Sequence, residues 1–425
     1  MSGNKIKVQF CKQPRYFNDF HCIGGACPMT CCYGWGNIDW TKDEVEKLKC
    51  AECSEELKSL IEKTFVENGS KYNVKYNEKG FCPLLDENGL CRVQKELGVE
   101  YMSKTCIIYP RHSIISGNTA INYCNISCYH IMDTLCRQKD SMAIENLLPK
   151  SAKVKEMATD IDGANDVLKS PELKFRNQLF DLFYDIISDE SYSLETALTL
   201  GALAANNLDK IVRSGETNRI PDIIPSLKKQ LKNPEQIKKL EDIKPNYSVK
   251  LGFAKKLDEV VIKLKLIDGL CENGVLSADK FNEGMRRFNA EFYERTFALR
   301  NIALNLLLEL KIPFRDKNYS IFENYCFYAA AVAAVKLTAA SIFVKNNESQ
   351  AMVNPVVTGS DKVADAVRNM KISFKIKTDS EHEFKTRLAY IDRFFAHNNN
   401  NVKVILDMYK ELNCMSPAYI ALIVK

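Results

Sequence analysis

Residues 20–35 read Phe20-His21-Cys22-Ile23-Gly24-Gly25-Ala26-Cys27-Pro28-Met29-Thr30-Cys31-Cys32-Tyr33-Gly34-Trp35. Four thiols within eleven residues, separated by glycines, let the backbone curl round a single centre, because only a tight turn brings ligands so close in sequence onto one atom. Further along, Cys82 and Cys91 flank a turn containing Asn88-Gly89, Cys106 lies in Thr105-Cys106-Ile107-Ile108-Tyr109-Pro110-Arg111, and Cys124 and Cys128 are spaced to share a helix face. A buried free cysteine is ordinarily a small hydrophobe. That reading suits the isolated Cys271, Cys326 and Cys414, whereas the N-terminal clusters read as metal ligands.

Thirteen of the sixteen cysteines fall at or before Cys136. The 425-residue chain is too long for one ordinary core, and the composition shift divides it into a cysteine-rich module over 1–140 and a body over 141–425, with a further break expected near 214–250. Turn signals at Gly24-Gly25, Gly34, Gly80 and Asn88-Gly89 make the module irregular and held by its ligands. Within it, Thr41 to Leu60 reads as a helix, with Thr41 as N-cap and Glu44 completing a capping box; Glu96 to Thr105 reads as another. Beyond residue 170, apolar residues recur at helical spacing through Leu173 to Ile187, Leu194 to Val212, Phe281 to Leu310, Tyr319 to Val344 and Phe384 to Phe395. The expected class is therefore mainly α: a metal-binding N-terminal module followed by a multi-helix body. Polar or proline-bearing connections are expected at Ser214 to Pro225, Asn233-Pro234, Lys244-Pro245 and Asn346 to Ser360.

Lys+Arg 59 against Asp+Glu 54 gives a net charge of +5 with no long block of one sign. Basic residues are not concentrated near the cysteines, and the spacing of a DNA-reading zinc finger is absent, so no nucleic-acid partner is expected. Lys228 to Lys244 reads as a solvated helix face. The first residues lack the apolar core of a secretory signal, which places the thiols in a reducing cytoplasm. Tyr319 to Val344 has the length of a membrane span, but Glu323, Asn324 and Lys336 interrupt it; it reads as the central helix of a soluble body.

The metal stays open between iron–sulfur and zinc, since thiolates suit both. Paired CxxC knuckles, common in zinc modules, are absent; Cys50 and Cys53 form one isolated CxxC that reads as two neighbouring surface residues. Only His21, His112 and His130 lie near enough in sequence to add imidazole ligands.

The run from Cys22 to Trp35 followed by Ile38-Asp39, the turn from Cys82-Pro83-Leu84-Leu85 to Gly89-Leu90-Cys91, the stretch Glu96-Leu97-Gly98 to Tyr109-Pro110-Arg111, and Ser127-Cys128 resemble the bacterial flagellin lysine-N-methylase family. The cysteine order is also similar to that of bacterial zinc- or iron-chelating proteins. The likeness continues weakly at Glu323-Asn324-Tyr325 and at Arg393 and His397-Asn398. Tyr129-His130 stand where the family continues with a proline and an acidic residue, and Cys11, Cys50, Cys53, Cys124 and Cys136 are additions. The resemblance implies methyl transfer from S-adenosylmethionine to lysine side chains of flagellin or another protein, with a 4Fe-4S cluster involved, zinc being the alternative. It carries over Cys22, Cys27, Cys31, Cys32, Cys82, Cys91, Cys106 and Cys128 as a ligand pool, more than one four-iron cluster needs. The competing reading is a non-catalytic, zinc-stabilised interaction module.

No glycine-rich turn after an apolar strand marks a doubly wound cofactor site. Cys27 and Cys31 begin the CxxxCxxC loop of radical S-adenosylmethionine enzymes, but Cys32 follows at once and the third ligand is out of place. For methyl transfer, a lysine ammonium must lose a proton, and apolar walls lower its pKa. Tyr109, Tyr123 and Trp35 are candidate walls or plain packing. Arg111 is a candidate to grip a cofactor carboxylate bidentately, or it pairs with an Asp or Glu. His397 reads as a helix C-terminal residue favoured by the dipole.

Overall fold

The computed structural model describes residues 8–32, 38–78, 80–148, 158–161, 167, 169–260, 266–291, 297–345, 380–397 and 400–425. Along the first part run β1 (Phe10–Pro14), α1 (Tyr16–Asp19), β2 (Asp39–Thr41), α2 (Lys42–Lys49), α3 (Glu55–Thr64), β3 (Phe65–Asn68), β4 (Lys71–Val74), α4 (Arg92–Glu96) and α5 (Lys104–Ile108). They are followed by β5 (Arg111–Ser116), β6 (Thr119–Cys124), α6 (Tyr129–Arg137), β7 (Ile144–Leu147) and β8 (Ala158–Ile161).

The N-terminal part is more ordered than its sequence suggests, for it contains two sheets. One has the order β7-β1-β6-β5-β8, with β5 and β6 a hairpin and β1 running parallel to β6; the other is β2-β4-β3. Strands this short carry little alternation, and β1 finds its partners β6 and β7 more than a hundred residues on, so local periodicity does not reveal them. Thr41 forms the expected capping box with Glu44, yet the helix does not run on to Leu60. It stops at Cys50 and restarts where Ser54 accepts from the Leu57 amide. Likewise Glu96 ends α4 instead of opening a helix, because Gly98 turns the chain at φ 98° and Ser103 caps a new start at Lys104.

The rest is helical: α7 (Arg176–Ser188), α8 (Leu194–Arg213), α9 (Ile220–Leu231), α10 (Pro234–Glu241), α11 (Tyr247–Val260), a small hairpin of β9 (Cys271–Glu272) and β10 (Val275–Leu276), α12 (Ala278–Glu291), α13 (Phe297–Glu309), α14 (Ile321–Lys345), α15 (Ser380–His397), α16 (Asn400–Glu411) and α17 (Pro417–Val424). The expected connection at 214–225 becomes helix from Ile220 onward and contains Pro225, because Ile220, Leu227 and Leu231 bury one face. The connection expected at 346–360 lies outside the described residues.

Helix α14 passes through the centre, and its apolar span is 94% buried inside the fold, as its composition led us to expect of a core helix. Its neighbours come unusually close. A Cβ at Gly284 of α12 would collide with the Ala340 carbonyl, and one at Gly201 of α8 with the Tyr325 ring. One apolar core joins this body to Tyr16, Phe17, Phe20, Ile121, Tyr123 and α6. A second, smaller core gathers Ile38, Trp40, Val45, Leu48, Leu57, Ile61, Val74, Leu84 and Val93.

Candidate functional site

All sixteen cysteines are free thiols. Each of the eight in the ligand pool is placed by local backbone chemistry. Cys22 and Cys27 bracket the 3-10 turn Gly24–Ala26, where the Gly24 amide approaches Cys22 Sγ at 3.4 Å and the Cys27 thiol donates to the Met29 carbonyl at 3.1 Å. This turn lies against the next thiol loop, since Gly24 and Gly25 face the Leu90 side chain and Gly25 also faces the Asn88 carbonyl. The Cys82 amide donates to the Cys32 carbonyl at 2.9 Å, joining the first loop to the second. Across the second loop, Leu85 pairs with Cys91, and Asp86 accepts the Asn88 and Leu90 amides at 2.9 Å. Cys106 occupies the first turn of α5, and Cys128 is the N-cap residue of α6.

Cys22 and Cys31 are exposed residues, and the other six pool cysteines are partly buried. Burial raises Cys27, Cys82 and Cys91 above the usual thiol range and pushes Cys106 and Cys128 up to about 12. Cys31 donates a hydrogen bond to Cys32, which raises Cys31 and lowers Cys32 to about 7. Neighbouring thiols oppose one another's ionisation, so a cation is what lets such a set ionise together. In number and donor type the residues fit a thiolate-bound metal. Among the described residues, however, no three His, Cys, Asp or Glu side chains stand close enough together to hold a metal ion.

Cys124, outside the pool, is fully buried; its amide donates to Tyr16 Oη at 2.9 Å. Cys11 and Cys136 are buried as well, while Cys50 is exposed between α2 and α3. The rings of His21 and His130 lie 5.6 Å apart beside Cys22 and Cys128, and His112 stacks on Tyr123.

Tyr109 Oη bonds Ser127 Oγ at 3.2 Å, and burial together with Cys128 and Cys31 holds its hydroxyl well above the usual tyrosine range. Arg111 donates to the Phe20 carbonyl at 2.7 Å and lies over the Phe20 ring, 4.6 Å from its centre. The guanidinium thus grips the backbone entering the Cys22 loop. Tyr123 is buried in β6. Trp35 and the His397 side chain lie outside the described residues. The cavity beside Glu195, Lys336 and Val424 offers about 10 Å³, one water's worth, and is no place for a cofactor.

Sequence reasoning missed the polar groups that tie the thiol loops to the body. Asn305 Nδ2 donates to the Cys124 carbonyl at 3.0 Å, and its Oδ1 accepts from Tyr16 Oη at 2.5 Å. Glu309 Oε2 accepts from the Ile126 amide, and Asp392 Oδ2 accepts from the Ser127 amide, each at 3.1 Å. Glu309 and Asp392 also share a hydrogen bond; burial and Asp392 hold Glu309 well above the usual carboxylate range, so it keeps the proton between them. The available signal was periodicity: Asn301, Asn305 and Glu309 recur every four residues in a helix whose only other polar residue is Arg300.

A family model, the FliB lysine N-methylase C-terminal domain, matches residues 180–358, the stretch running from within α7 past α14. The lysine-N-methylases of Salmonella choleraesuis (strain SC-B67) and Salmonella typhimurium (strain LT2) are each 24% identical over 357 residues, covering 78% of this chain and 85% of the relative. The flagellar biosynthetic protein FliU of Salmonella muenchen is 31% identical over 137 residues, 31% of this chain and 80% of that protein. No solved structure matches. Family model and relatives together cover both the body and much of the remaining chain, and the chain belongs to the FliB-type lysine-N-methylase family of protein-lysine methyltransferases.

Proposed function

We propose that this protein transfers the methyl group of S-adenosylmethionine to lysine side chains of flagellin, in the cytoplasm, and that the thiol pool holds a 4Fe-4S cluster. The metal reading is supported by eight free thiols on four stretches of the chain, of which the first two touch through the Cys82 amide on the Cys32 carbonyl and through Gly25 against Leu90. The substrate reading rests on relatives named lysine-N-methylase and flagellar biosynthetic protein.

The transfer breaks the sulfonium sulfur–methyl bond and forms a carbon–nitrogen bond to a neutral amine, with one proton leaving the lysine nitrogen. When bound, a cluster with one iron free of cysteine supplies a site for the donor's amino and carboxylate groups. The chain's own residues set the frame. Arg111 fixes the approach to Cys22 through Phe20, and Tyr109 closes over Ser127 beside Cys128. Glu309, Asp392 and Asn305 hold the segment from Cys124 to Ser127 in register. The enclosed Tyr109 hydroxyl stays protonated, which makes it a hydrogen-bond donor rather than a base.

Anaerobic purification with iron and sulfide analysis, followed by incubation with flagellin and S-adenosylmethionine and mass spectrometry of the lysines, tests both parts. A protein free of iron and sulfide that leaves flagellin unmodified would sink the reading.

A further inference from the structure

Cys50 and Cys53 stand outside the thiol pool, and the fold places them otherwise than one continuous helix would. Helix α2 ends with Cys50 as its C-cap residue and α3 opens behind Ser54, so Cys50-Ala51-Glu52-Cys53 is the link between two helices. Both helices are anchored on the small core, through Val45 and Leu48 before the link and Leu57 and Ile61 after it, each at most 2% exposed. The chain bends at Ala51, which is itself buried and whose amide donates to the Leu48 carbonyl at 3.3 Å.

Cys50 and Cys53 are thus the first and fourth residues of a bend whose two ends are pinned. Four-residue turns bring such positions to within about 7 Å, Cα to Cα, which is the span a disulfide covers. Both are free thiols; Cys50 is exposed, and Cys53 is half-buried against the small core. An exposed thiol backed by a second, sheltered one is the arrangement in which the first meets an oxidant and the second resolves it. Burial and Glu96 hold the Cys53 thiol above the usual thiol range, which leaves the first attack to Cys50.

We propose that Cys50 and Cys53 are a redox-modification site, closing reversibly into a disulfide with a low-molecular-weight disulfide as oxidant. The Cys50 thiolate attacks one sulfur of that oxidant and releases one thiol; the Cys53 thiolate then attacks the Cys50 sulfur of the mixed disulfide and releases the second. The two protein thiols lose two electrons, the oxidant gains them, and the two protons pass to the departing thiolates. The bridge reaches beyond its own turn. In α2, Glu44 accepts the Lys104 amide that opens α5 at 2.8 Å, and Lys47 donates to the Glu100 carbonyl at 2.7 Å, so α2 supports the stretch leading to Cys106. Joining the end of α2 to the start of α3 stiffens that support when the surroundings turn oxidising. The site needs no metal and stands whether or not the pool binds one.

The test uses the full-length protein, reduced, freed of reductant under anaerobic conditions and incubated with mixtures of oxidised and reduced glutathione, after which the remaining thiols are alkylated. Because Lys49 and Lys58 flank the pair, trypsin releases both cysteines in one peptide, whose mass reports a bridge directly. Wild type is expected to yield peptide 50–58 lighter by two hydrogens and free of alkyl groups, and to revert with dithiothreitol. C53S should stop at a glutathione adduct on Cys50, and C50S should give no bridge. The bridge should persist to a more reducing glutathione ratio in the folded protein than in urea, because the fold holds the two ends together. A doubly alkylated wild-type peptide at every ratio, a bridge from Cys50 to a cysteine elsewhere, or a bridge no more persistent in the folded protein than in urea overturns the assignment. These readings need only the wild-type chain, so they decide even where a variant fails to fold.

Discussion

Replacing Glu309 tests whether the helical body holds the cysteine loop through a shared proton. Glu309→Gln keeps an oxygen for the Ile126 amide and supplies an N–H toward Asp392, whereas Glu309→Leu removes both. The leucine strands a buried amide at about 1–3 kcal/mol and deprives Asp392 of its donor at a similar cost, so about 3–5 kcal/mol of stability should go. The pH dependence is more telling. Glu309 is protonated in the fold and has its ordinary carboxylate pKa when unfolded, so the folded state binds the extra proton. Stability from this group is complete below the unfolded pKa and falls by about 1.4 kcal/mol per pH unit above it, until the folded pKa is reached. The glutamine cannot titrate and should flatten that slope. Urea unfolding of wild type and both variants between pH 4 and 8 measures it. An unchanged slope in Glu309→Gln, or a loss below about 1 kcal/mol in Glu309→Leu, would refute the shared-proton account.

Other expectations are as direct. Lys385 is fully buried between Asp133 and Glu381, with Arg137 also reaching both acids; Lys385→Met should cost about 2–4 kcal/mol in thermal or urea unfolding, the arginine limiting the loss. Lys250 Nζ is buried without a hydrogen-bond partner among the described residues, 4.2 Å from the centre of the Phe281 ring, and burial, together with Lys336, lowers it to about 7. Its penalty is full below pH 7 and relieved as pH rises toward the unfolded lysine value, so Lys250→Met should abolish a rise in stability between pH 7 and 10. Gly284→Ala, which in an exposed helix gains about 1 kcal/mol, should instead lose about 1–3 kcal/mol here because its Cβ meets the Ala340 carbonyl, as a calorimetric melt would show.

What the chain discloses without its structure is local. The Thr41–Glu44 capping box, the helix from Leu194 onward and the buried Tyr319 run each rest on residues within a few turns of one another. The sheet was hidden because β1 pairs with β6 and β7, more than a hundred positions on, and Ser113-Ile114-Ile115-Ser116 is too short to mark its face by pattern. The clustering of the cysteines along the chain is visible in one dimension. It does not show that Cys82, Cys91 and Cys106 pack on the small core and Cys128 on the large one, because cores are long-range objects. The fixing groups Glu309 and Asp392 escaped for the same reason: their partners lie 183 and 265 residues earlier.

That separation bears on how the protein matures in the cell. A ribosome delivers the cysteine loops first, but the anchors for the Ile126–Ser127 backbone emerge only when α13 and α15 have been made. During that interval the nascent thiols are present without their final scaffold, exposed to stray oxidants and to whatever metal is at hand. On the proposed metal reading, loading is therefore a late, post-synthetic event, and a shortage of the right donor at that moment would yield mismetallated chains rather than shortened ones.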